Sequence, residues 1–315
     1  MTPEAGERPP LLVVLGPTAA GKTGIAEEIA RRSPGEIVSA DAFAVYRGFD
    51  VGTAKPSRER RAEIPYHLVD VADPREAFSA GRWAAEARRA VEGIVSRGRL
   101  PIICGGSGFY VSALIDGLPA GEARDSRLRE ALASWANARG AEAAHRFLAR
   151  NDPVAASRIS VPNLRYTLRA LEIVLTTGAR ASNRLADDRW SAQFRVIKVA
   201  VEPSRRDLYA KIENRVRRML DAGWDDEVRQ LVRGGLPLEA NAFDAIGYRE
   251  VAGWVSGRAG REETEREIAA ATKRLAKRQK TWLARDRDAI RMTPEDAVSK
   301  ILQLLGHHGQ TEKSG

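Results

Sequence analysis

A complete phosphate-binding loop lies near the start of this chain of 315 residues and limits the folds that the chain can adopt. The loop follows the pattern GxxxxGK[ST] and reads Gly16-Pro17-Thr18-Ala19-Ala20-Gly21-Lys22-Thr23. An apolar run at 11–15 predicts a strand before it, and residues 24–32 predict a helix after it. In such a loop, backbone N–H groups surround a polyphosphate, the lysine adds charge and the threonine hydroxyl can ligate Mg²⁺. We therefore predict a diphosphate or triphosphate site with Mg²⁺ on Thr23.

The pattern around this loop predicts an α/β protein. Runs at 11–15, 36–39 and 101–104 read as parallel strands, and 80–97 reads as a crossover helix with Ser79 as its N-cap. This alternation is typical of a P-loop NTPase-like parallel sheet flanked by helices, which binds ligands at the carboxyl ends of its strands.

A helical segment rich in alanine and arginine interrupts this pattern. Residues 126–178 read as helical throughout, a strand returns at 194–201, and helices follow from about residue 205. We therefore predict a helical insertion domain inside the α/β core. The expected boundaries are 10–122 and 190–305 for the core, 123–189 for the insertion, and 1–9 and 306–315 for disordered tails.

The chain is basic, with a formal net charge of +9. The segment from Arg124 to Arg189 holds twelve arginines against seven acidic residues. A second stretch, 272–287, holds seven basic residues against Asp286 alone. Such surfaces favour a large anionic partner, above all a nucleic acid. A protein that is merely basic, with solvated helices, is the alternative.

Composition also narrows the class and the compartment. The single cysteine, Cys104, lies in an apolar run, which predicts a buried strand thiol and excludes an intrachain disulfide. No apolar run approaches the roughly 20 residues of a membrane span, and residues 1–10 lack a signal-peptide core. We expect a cytoplasmic protein with no membrane partner.

The position of the carboxylates separates this chain from an ordinary NTPase. The strand at 101–104 runs into Gly105-Gly106-Ser107-Gly108 without the acidic residue that usually helps to hold Mg²⁺. The early carboxylate is Asp41, which follows the strand at 36–39 and should lie beside the phosphate loop. It could be a Mg²⁺ ligand, a general base or the cap of its loop.

Six segments in series resemble tRNA dimethylallyltransferases. The resemblance covers about residues 11–290 in order, and six segments in series are far more specific than the phosphate loop alone. The segments are Ser39 to Pro56, Pro65-Tyr66-His67-Leu68-Val69-Asp70, Gly105 to Tyr110, Arg169-Ala170-Leu171-Glu172, Ile246-Gly247-Tyr248-Arg249-Glu250, and Ala276-Lys277-Arg278-Gln279-Lys280-Thr281-Trp282.

The resemblance implies transfer of a dimethylallyl group from its diphosphate to N6 of adenosine 37 beside the tRNA anticodon. Lys22 and Mg²⁺ on Thr23 would neutralise the leaving diphosphate. Asp41 would act as the general base for the adenine amine. Ser107 stands where the family has the threonine of its Gly-Gly-Thr motif, and Arg129 matches a downstream arginine by spacing.

The resemblance also implies the partners of the chain, the anticodon arm of tRNA and dimethylallyl diphosphate, and we expect a monomer. The implied tRNA contacts are Asp41, Ala42, Phe43, Ala44, Arg165, Arg169, Gly247, Tyr248, Arg249, Lys277, Arg278, Gln279, Lys280 and Trp282.

Several positions depart from the family pattern and leave the RNA footprint open. Tyr166 stands where an arginine is usual, Leu164 where an acidic residue is usual, and Leu275 where a tyrosine is usual. Leu283-Ala284 replaces the common Phe-Arg.

Three other functions compete with this interpretation: a small-molecule P-loop kinase, an adenylate isopentenyltransferase that uses a free nucleotide, and a non-catalytic RNA-binding protein. His67 has no companion at metal-ligand spacing, which favours a structural role.

Overall fold

A computed structural model describes residues 8–117, 126–182 and 190–306. Nearly all of the tails predicted to be disordered lie outside these ranges. The chain divides into two compact units. Unit 1 comprises Met1–Val111 and Ala192–Gly315, and unit 2 comprises Ser112–Ser191. The predicted insertion, 123–189, falls within unit 2.

Unit 1 contains a parallel sheet of six strands in the order β3-β2-β4-β1-β5-β6. The register places Leu12 opposite Ile102 on one side and Ile197 on the other. Every neighbouring pair is parallel, which confirms the predicted fold class. The strands are β1 Pro10–Leu15, β2 Gly35–Ala40, β3 Tyr66–His67, β4 Leu100–Gly105, β5 Arg195–Val201 and β6 Ile290–Met292.

Helices flank this sheet and continue through unit 2. The short strands β3 and β6 are the elements of the sheet that periodicity did not predict. The helices are α1 Lys22–Arg32, α2 Arg58–Glu63, α3 Ala80–Ser96, α4 Gly108–Ile115, α5 Ser126–Arg139, α6 Ala141–Asn151, α7 Pro153–Arg158, α8 Leu164–Thr177, α9 Arg205–Asp221, α10 Trp224–Arg233, α11 Tyr248–Val255, α12 Arg261–Leu283 and α13 Pro294–Leu304.

The central strands are apolar because both of their faces are covered. Every residue of β4 is buried, as are five of the six residues of β1. Leu12 and Ile102 pack with Ile29 of α1 and Ile301 of α13 in one core cluster. Cys104 belongs to the same cluster, which confirms its prediction as a buried strand thiol.

Helix α3 begins where the sequence predicted. The Ser79 side chain accepts the N–H of Arg82 at 3.1 Å, which satisfies one of the free donors of the first turn. The buried Trp83 donates its indole N–H to Ser39 O at 2.9 Å, and this bond anchors the helix to β2. On the amino-terminal side of β2, His67 Nε2 lies 2.7 Å from Glu36 Oε2, consistent with the structural role inferred for His67.

Unit 2 has its own small core. Leu148 of α6 and Leu171 of α8 are fully buried and pack with Leu132 of α5. Asp152 is also fully buried, and its carboxylate accepts the N–H groups of Ala155 and Ser182 at 2.9 and 2.6 Å. This carboxylate caps α7 and holds the segment that follows α8. The described part of unit 2 is thus helical, as predicted, and its role in RNA binding remains a prediction.

Candidate active site

The phosphate loop lies between the carboxyl end of β1 and the first turn of α1. Ala19 and Gly21 both adopt left-handed backbone, at φ 63° and 87°. Left-handed turns of this kind direct successive N–H groups toward one point and create a cavity for anions. Helix α1 begins at Lys22, so its positive end adds to the same field. The geometry therefore suits a phosphate group, as the motif predicts.

Lys22 is held back against its own loop. Its Nζ donates to Pro17 O at 2.7 Å. Burial lowers the pKa of Lys22 to about 8, and the positive charge of Arg215 acts in the same direction while Asp41 opposes it. Lys22, Asp41 and Arg215 are therefore close enough to influence one another electrostatically. Together they place two cations and one carboxylate at this edge of the sheet.

Asp41 follows β2 at the same edge and serves as a loop cap. Its Oδ1 accepts the N–H groups of Phe43 and Ala44 at 2.9 and 3.2 Å. Its other oxygen, Oδ2, accepts no hydrogen bond from the described residues. The capping role is thus present in the structure, and it uses one oxygen only. The second oxygen remains available to act as a base or to meet a metal ion.

Ser107 is brought to this edge by the loop after β4. Its N–H donates to Ala40 O at 3.2 Å, and Ala40 immediately precedes Asp41. The Ser107 carbonyl accepts the N–H of Tyr110 at 2.9 Å, which forms the first turn of α4. The structure therefore brings together Lys22, Asp41 and Ser107, three of the predicted catalytic residues.

Arg215 is the residue of this site that sequence reasoning missed. It lies on α9, and its Nη2 is 3.5 Å from Thr53 O. Burial lowers the pKa of Arg215, and the charge of Asp41 raises it again. A half-buried arginine on an amphipathic helix carries no local motif, so only the fold shows that it belongs here.

Arg129, another predicted catalytic residue, lies in unit 2. Its Nη2 donates to Glu172 Oε1 at 2.8 Å, and Arg169 Nη1 lies 2.8 Å from Glu172 Oε2. Burial alone would raise the pKa of Glu172, but hydrogen bonds from Arg169 and Arg129 lower it. Two arginines predicted to contact substrates are therefore held by one buried carboxylate. Arg165, one turn earlier on α8, is exposed.

The predicted RNA contacts in unit 1 fall into exposed and buried groups. Lys277 and Arg278 are exposed on α12, Lys280 is half-buried, and Ala42 and Phe43 are half-buried after β2. Ala44 is buried, which leaves its side chain little surface for RNA.

The segment at 246–251 is largely structural in its contacts. The Tyr248 side chain is 0% exposed, and its hydroxyl donates to Glu227 Oε1 at 2.6 Å. This ring therefore packs in the core, and the implied RNA contact does not include its side chain in this structure. Gly247 has a φ of 100°, and a Cβ there would lie 2.0 Å from the Trp224 ring. Arg249 is exposed and its Nη2 donates to Asp244 Oδ1 at 2.7 Å.

The residues present fit a magnesium ion that is shared with a substrate. Among the described residues, no group of three or more His, Cys, Asp or Glu could hold a metal ion. Mg²⁺ in phosphate-transfer sites typically takes few protein ligands and completes its shell with phosphate oxygens and water. The exposed Thr23 in the first turn of α1 and the unbonded Oδ2 of Asp41 are oxygen donors of this kind. Thr23 is the residue that would hold the ion.

None of the helices in the described ranges combines the length and apolar character that a membrane crossing needs.

Comparisons with known proteins show which family the chain belongs to. A family model described as IPP transferase matches residues 44–286. A curated tRNA dimethylallyltransferase of Geobacter metallireducens is 41% identical over 95% of this chain and 97% of its own length. The corresponding protein of Anaeromyxobacter dehalogenans is 43% identical over 92% of this chain and 95% of its own length.

Two solved structures extend the comparison to the fold. The tRNA isopentenylpyrophosphate transferase of Bacillus halodurans superposes with a TM-score of 0.69 at 33% identity, covering 94% of this chain and 95% of that protein. A eukaryotic dimethylallyltransferase acting on tRNA has a TM-score of 0.78 at 21% identity, covering 97% and 81% of the two chains, and shows the shared fold alone. The matches to the family model and to curated relatives over nearly the whole chain show that this protein belongs to the IPP transferase family, the family of the tRNA dimethylallyltransferases.

Proposed function

We propose that this protein transfers a dimethylallyl group from dimethylallyl diphosphate to N6 of adenosine 37 in tRNA, releasing diphosphate. The observation that carries the proposal is the convergence of the phosphate loop, Lys22 and Asp41 at one edge of the sheet in a member of this family. The phosphate loop binds the leaving group of the donor, not a nucleotide that is hydrolysed.

The phosphate loop prepares the diphosphate to depart. Its N–H groups, Lys22 and Arg215 supply positive potential where negative charge develops as the C–O bond breaks. Mg²⁺ held by Thr23 would supply further charge neutralisation on the diphosphate oxygens. Ser107 and Arg129 contact the reacting ends in this proposal, as the family resemblance implies for their positions.

Asp41 completes the transfer on the adenine side. N6 attacks the allylic carbon, the bond between that carbon and the diphosphate oxygen breaks, and its electron pair leaves with diphosphate. The N6 proton moves to Asp41 Oδ2, the oxygen that the loop cap does not use. An exocyclic amine is a weak nucleophile, so removal of its proton makes a large contribution to the rate.

The tRNA must present the target base outside its stack. Unstacking costs a few kcal/mol and is easiest in a single-stranded loop. The exposed Arg165, Lys277 and Arg278 are basic residues suited to the phosphates of the anticodon arm. We further propose that the enzyme acts as a monomer in the cytoplasm.

An acceptor competition tests this function against its two enzymatic alternatives. The protein is incubated with isotopically labelled dimethylallyl diphosphate, Mg²⁺, unmodified tRNA and free AMP, with and without ATP. We expect label in tRNA, none in AMP, and no dependence on ATP. Label in AMP would favour the adenylate isopentenyltransferase, whereas an ATP-dependent phosphorylated product would favour a kinase.

A further inference from the structure

Gln279 on α12 joins two loops at the carboxyl edge of the sheet. Its Oε1 accepts the Thr18 N–H at 2.8 Å. Its Nε2 donates to Gly106 O at 3.0 Å. Thr18 belongs to the phosphate loop, and Gly106 immediately precedes Ser107. A single side-chain amide thus ties the loop for the diphosphate to the loop that carries Ser107.

The contact with Gly106 depends on the absence of a side chain there. A Cβ at Gly106 would lie 2.3 Å from Gln279 Nε2, closer than two such atoms can approach. Three residues further along α12, the Trp282 ring packs against Gly108, where a Cβ would lie 2.4 Å from its Cδ2. Residues three apart share one face of a helix. This face of α12 therefore packs on the loop after β4 and on the first residue of α4.

The Thr18 hydrogen bond lies next to a strained position of the phosphate loop. Thr18 precedes Ala19, whose φ of 63° is a left-handed conformation that non-glycine residues adopt only at an energetic cost. Because the N–H groups of the loop must converge on one anion, their directions depend on this conformation. An external acceptor for the Thr18 N–H holds the loop in the required shape.

We propose that Gln279 is a positioning residue for the donor site. Its side chain holds the phosphate loop and the loop of Ser107 in position, and it does not contact the tRNA. Both ends of its amide already have partners inside the protein, whereas the neighbouring Lys277 and Arg278 are exposed. This inference rests on the proposed function, since it assigns the phosphate loop to the donor.

The test separates effects on the donor from effects on the tRNA. Gln279→Met preserves the length of the side chain and removes both hydrogen bonds. We expect the KM for dimethylallyl diphosphate to rise about tenfold, as loss of two ordinary hydrogen bonds predicts, with the KM for tRNA within about twofold of wild type. Binding of inorganic diphosphate to the enzyme without tRNA should weaken by a similar factor. Gln303→Met, an exposed glutamine on α13, is the matched control and should change none of these values.

A second variant disrupts the hydrogen bond between Gln279 and Gly106 by a change at Gly106. Gly106→Ala should displace the Gln279 amide and raise the KM for dimethylallyl diphosphate as Gln279→Met does. If the methionine variant fails to fold, the alanine variant provides the same test. Combining the two should cost less than the product of the single effects, because both remove one interaction. An unchanged donor KM in a folded variant, or a rise in the KM for tRNA alone, would overturn the inference. Absence of transfer by the wild type would instead overturn the proposed function.

Discussion

Asp41 Oδ1 accepts the backbone N–H of Phe43 at 2.9 Å, so the predicted base of this enzyme is also the cap of its own loop. The two roles use different oxygens, since Oδ2 accepts no hydrogen bond from the described residues. A substitution can therefore remove one role while it keeps the other.

Asp41→Asn is the substitution that separates them. The amide oxygen can still accept the two N–H groups, but the side chain can no longer take a proton. We expect turnover to fall about 10²–10⁴-fold, the usual range for removal of a general base, with little change in thermal stability. Asp41→Ala is the matched control, because it removes the cap as well and should also lower the melting temperature. Near-normal turnover of the Asn variant in a transfer assay would reassign Asp41 to a purely structural role.

The lowered pKa of Lys22 predicts how the affinity for dimethylallyl diphosphate depends on pH. Burial lowers the pKa of Lys22 to about 8 from an ordinary value of 10.5, so its charge is lost as pH rises through that value. Affinity for dimethylallyl diphosphate should therefore decline between about pH 7 and pH 9.5. Lys22→Arg keeps a charge throughout this range, and equilibrium binding should show a flatter profile for this variant. Parallel profiles for the two proteins would contradict the assignment.

The same pKa has a consequence for stability with a defined sign. Because the pKa of Lys22 is lower in the folded chain than in the unfolded chain, the unfolded chain binds more protons between pH 8 and 10.5. The contribution of Lys22 to the free energy of unfolding must therefore rise with pH across that interval. Lys22→Met should remove this contribution, and urea unfolding of both proteins at pH 7 and pH 10 measures it. A steeper rise in the variant would contradict the sign.

The two basic stretches of the sequence, 124–189 and 272–287, predict that tRNA binding depends on salt concentration. Each phosphate contact contributes about 0.7–0.9 to the log–log slope of affinity against salt. Lys277→Ala combined with Arg278→Ala should flatten the slope by about 1–2, and Arg165→Ala by about 1. Arg169 is a poor choice for this test, because its removal would also disturb the ion pair with the buried Glu172.

The control for the salt experiment is an arginine that belongs to neither basic segment of the sequence. Arg32→Ala removes an exposed arginine from the last turn of α1 and should leave the slope unchanged. Diphosphate binding should survive in all of these variants. If the slope of every variant equals that of wild type, the basic residues form solvated helix faces and not a tRNA-binding surface.

Two glycines of the same region predict opposite effects of one methyl group. At Gly247, with a φ of 100°, a Cβ would lie 2.0 Å from Trp224, whereas at Gly253 nothing lies within 4 Å. Gly247→Ala should lower the free energy of unfolding by more than about 1 kcal/mol. Gly253→Ala, inside α11, should be neutral or raise it by up to about 1 kcal/mol. Equal effects in chemical denaturation would show that the close contact with Trp224 is absent in solution.

The elements of the core were predictable because their signals are local. The phosphate loop, the apolar runs of β1, β2, β4 and β5, and the serine before α3 each identify themselves within a few residues. The strands β3 and β6 were not predictable, because strands of two and three residues are too short to show periodicity.

The site was predictable only where a motif or a family segment marks it. The role of Arg215 and the two hydrogen bonds of the Gln279 side chain depend on contacts between residues far apart in the sequence. Thr18 and Gln279, for example, are separated by 261 residues. Tyr248 shows what a segment match alone does not give, because this residue lies within a matching segment and its side chain is fully buried. A segment match identifies a surface, and burial then decides which side chains can form it.

Two tRNA transcripts that differ only at position 37 give the most direct test of the proposed transfer to adenosine 37. One carries adenosine there and the other guanosine, which lacks the N6 amine, and each is incubated with labelled dimethylallyl diphosphate and Mg²⁺ in the absence of ATP. We expect label on N6 of adenosine 37 in the first transcript, identified by nucleoside analysis, and none in the second. Label in neither transcript, or in both, would contradict it.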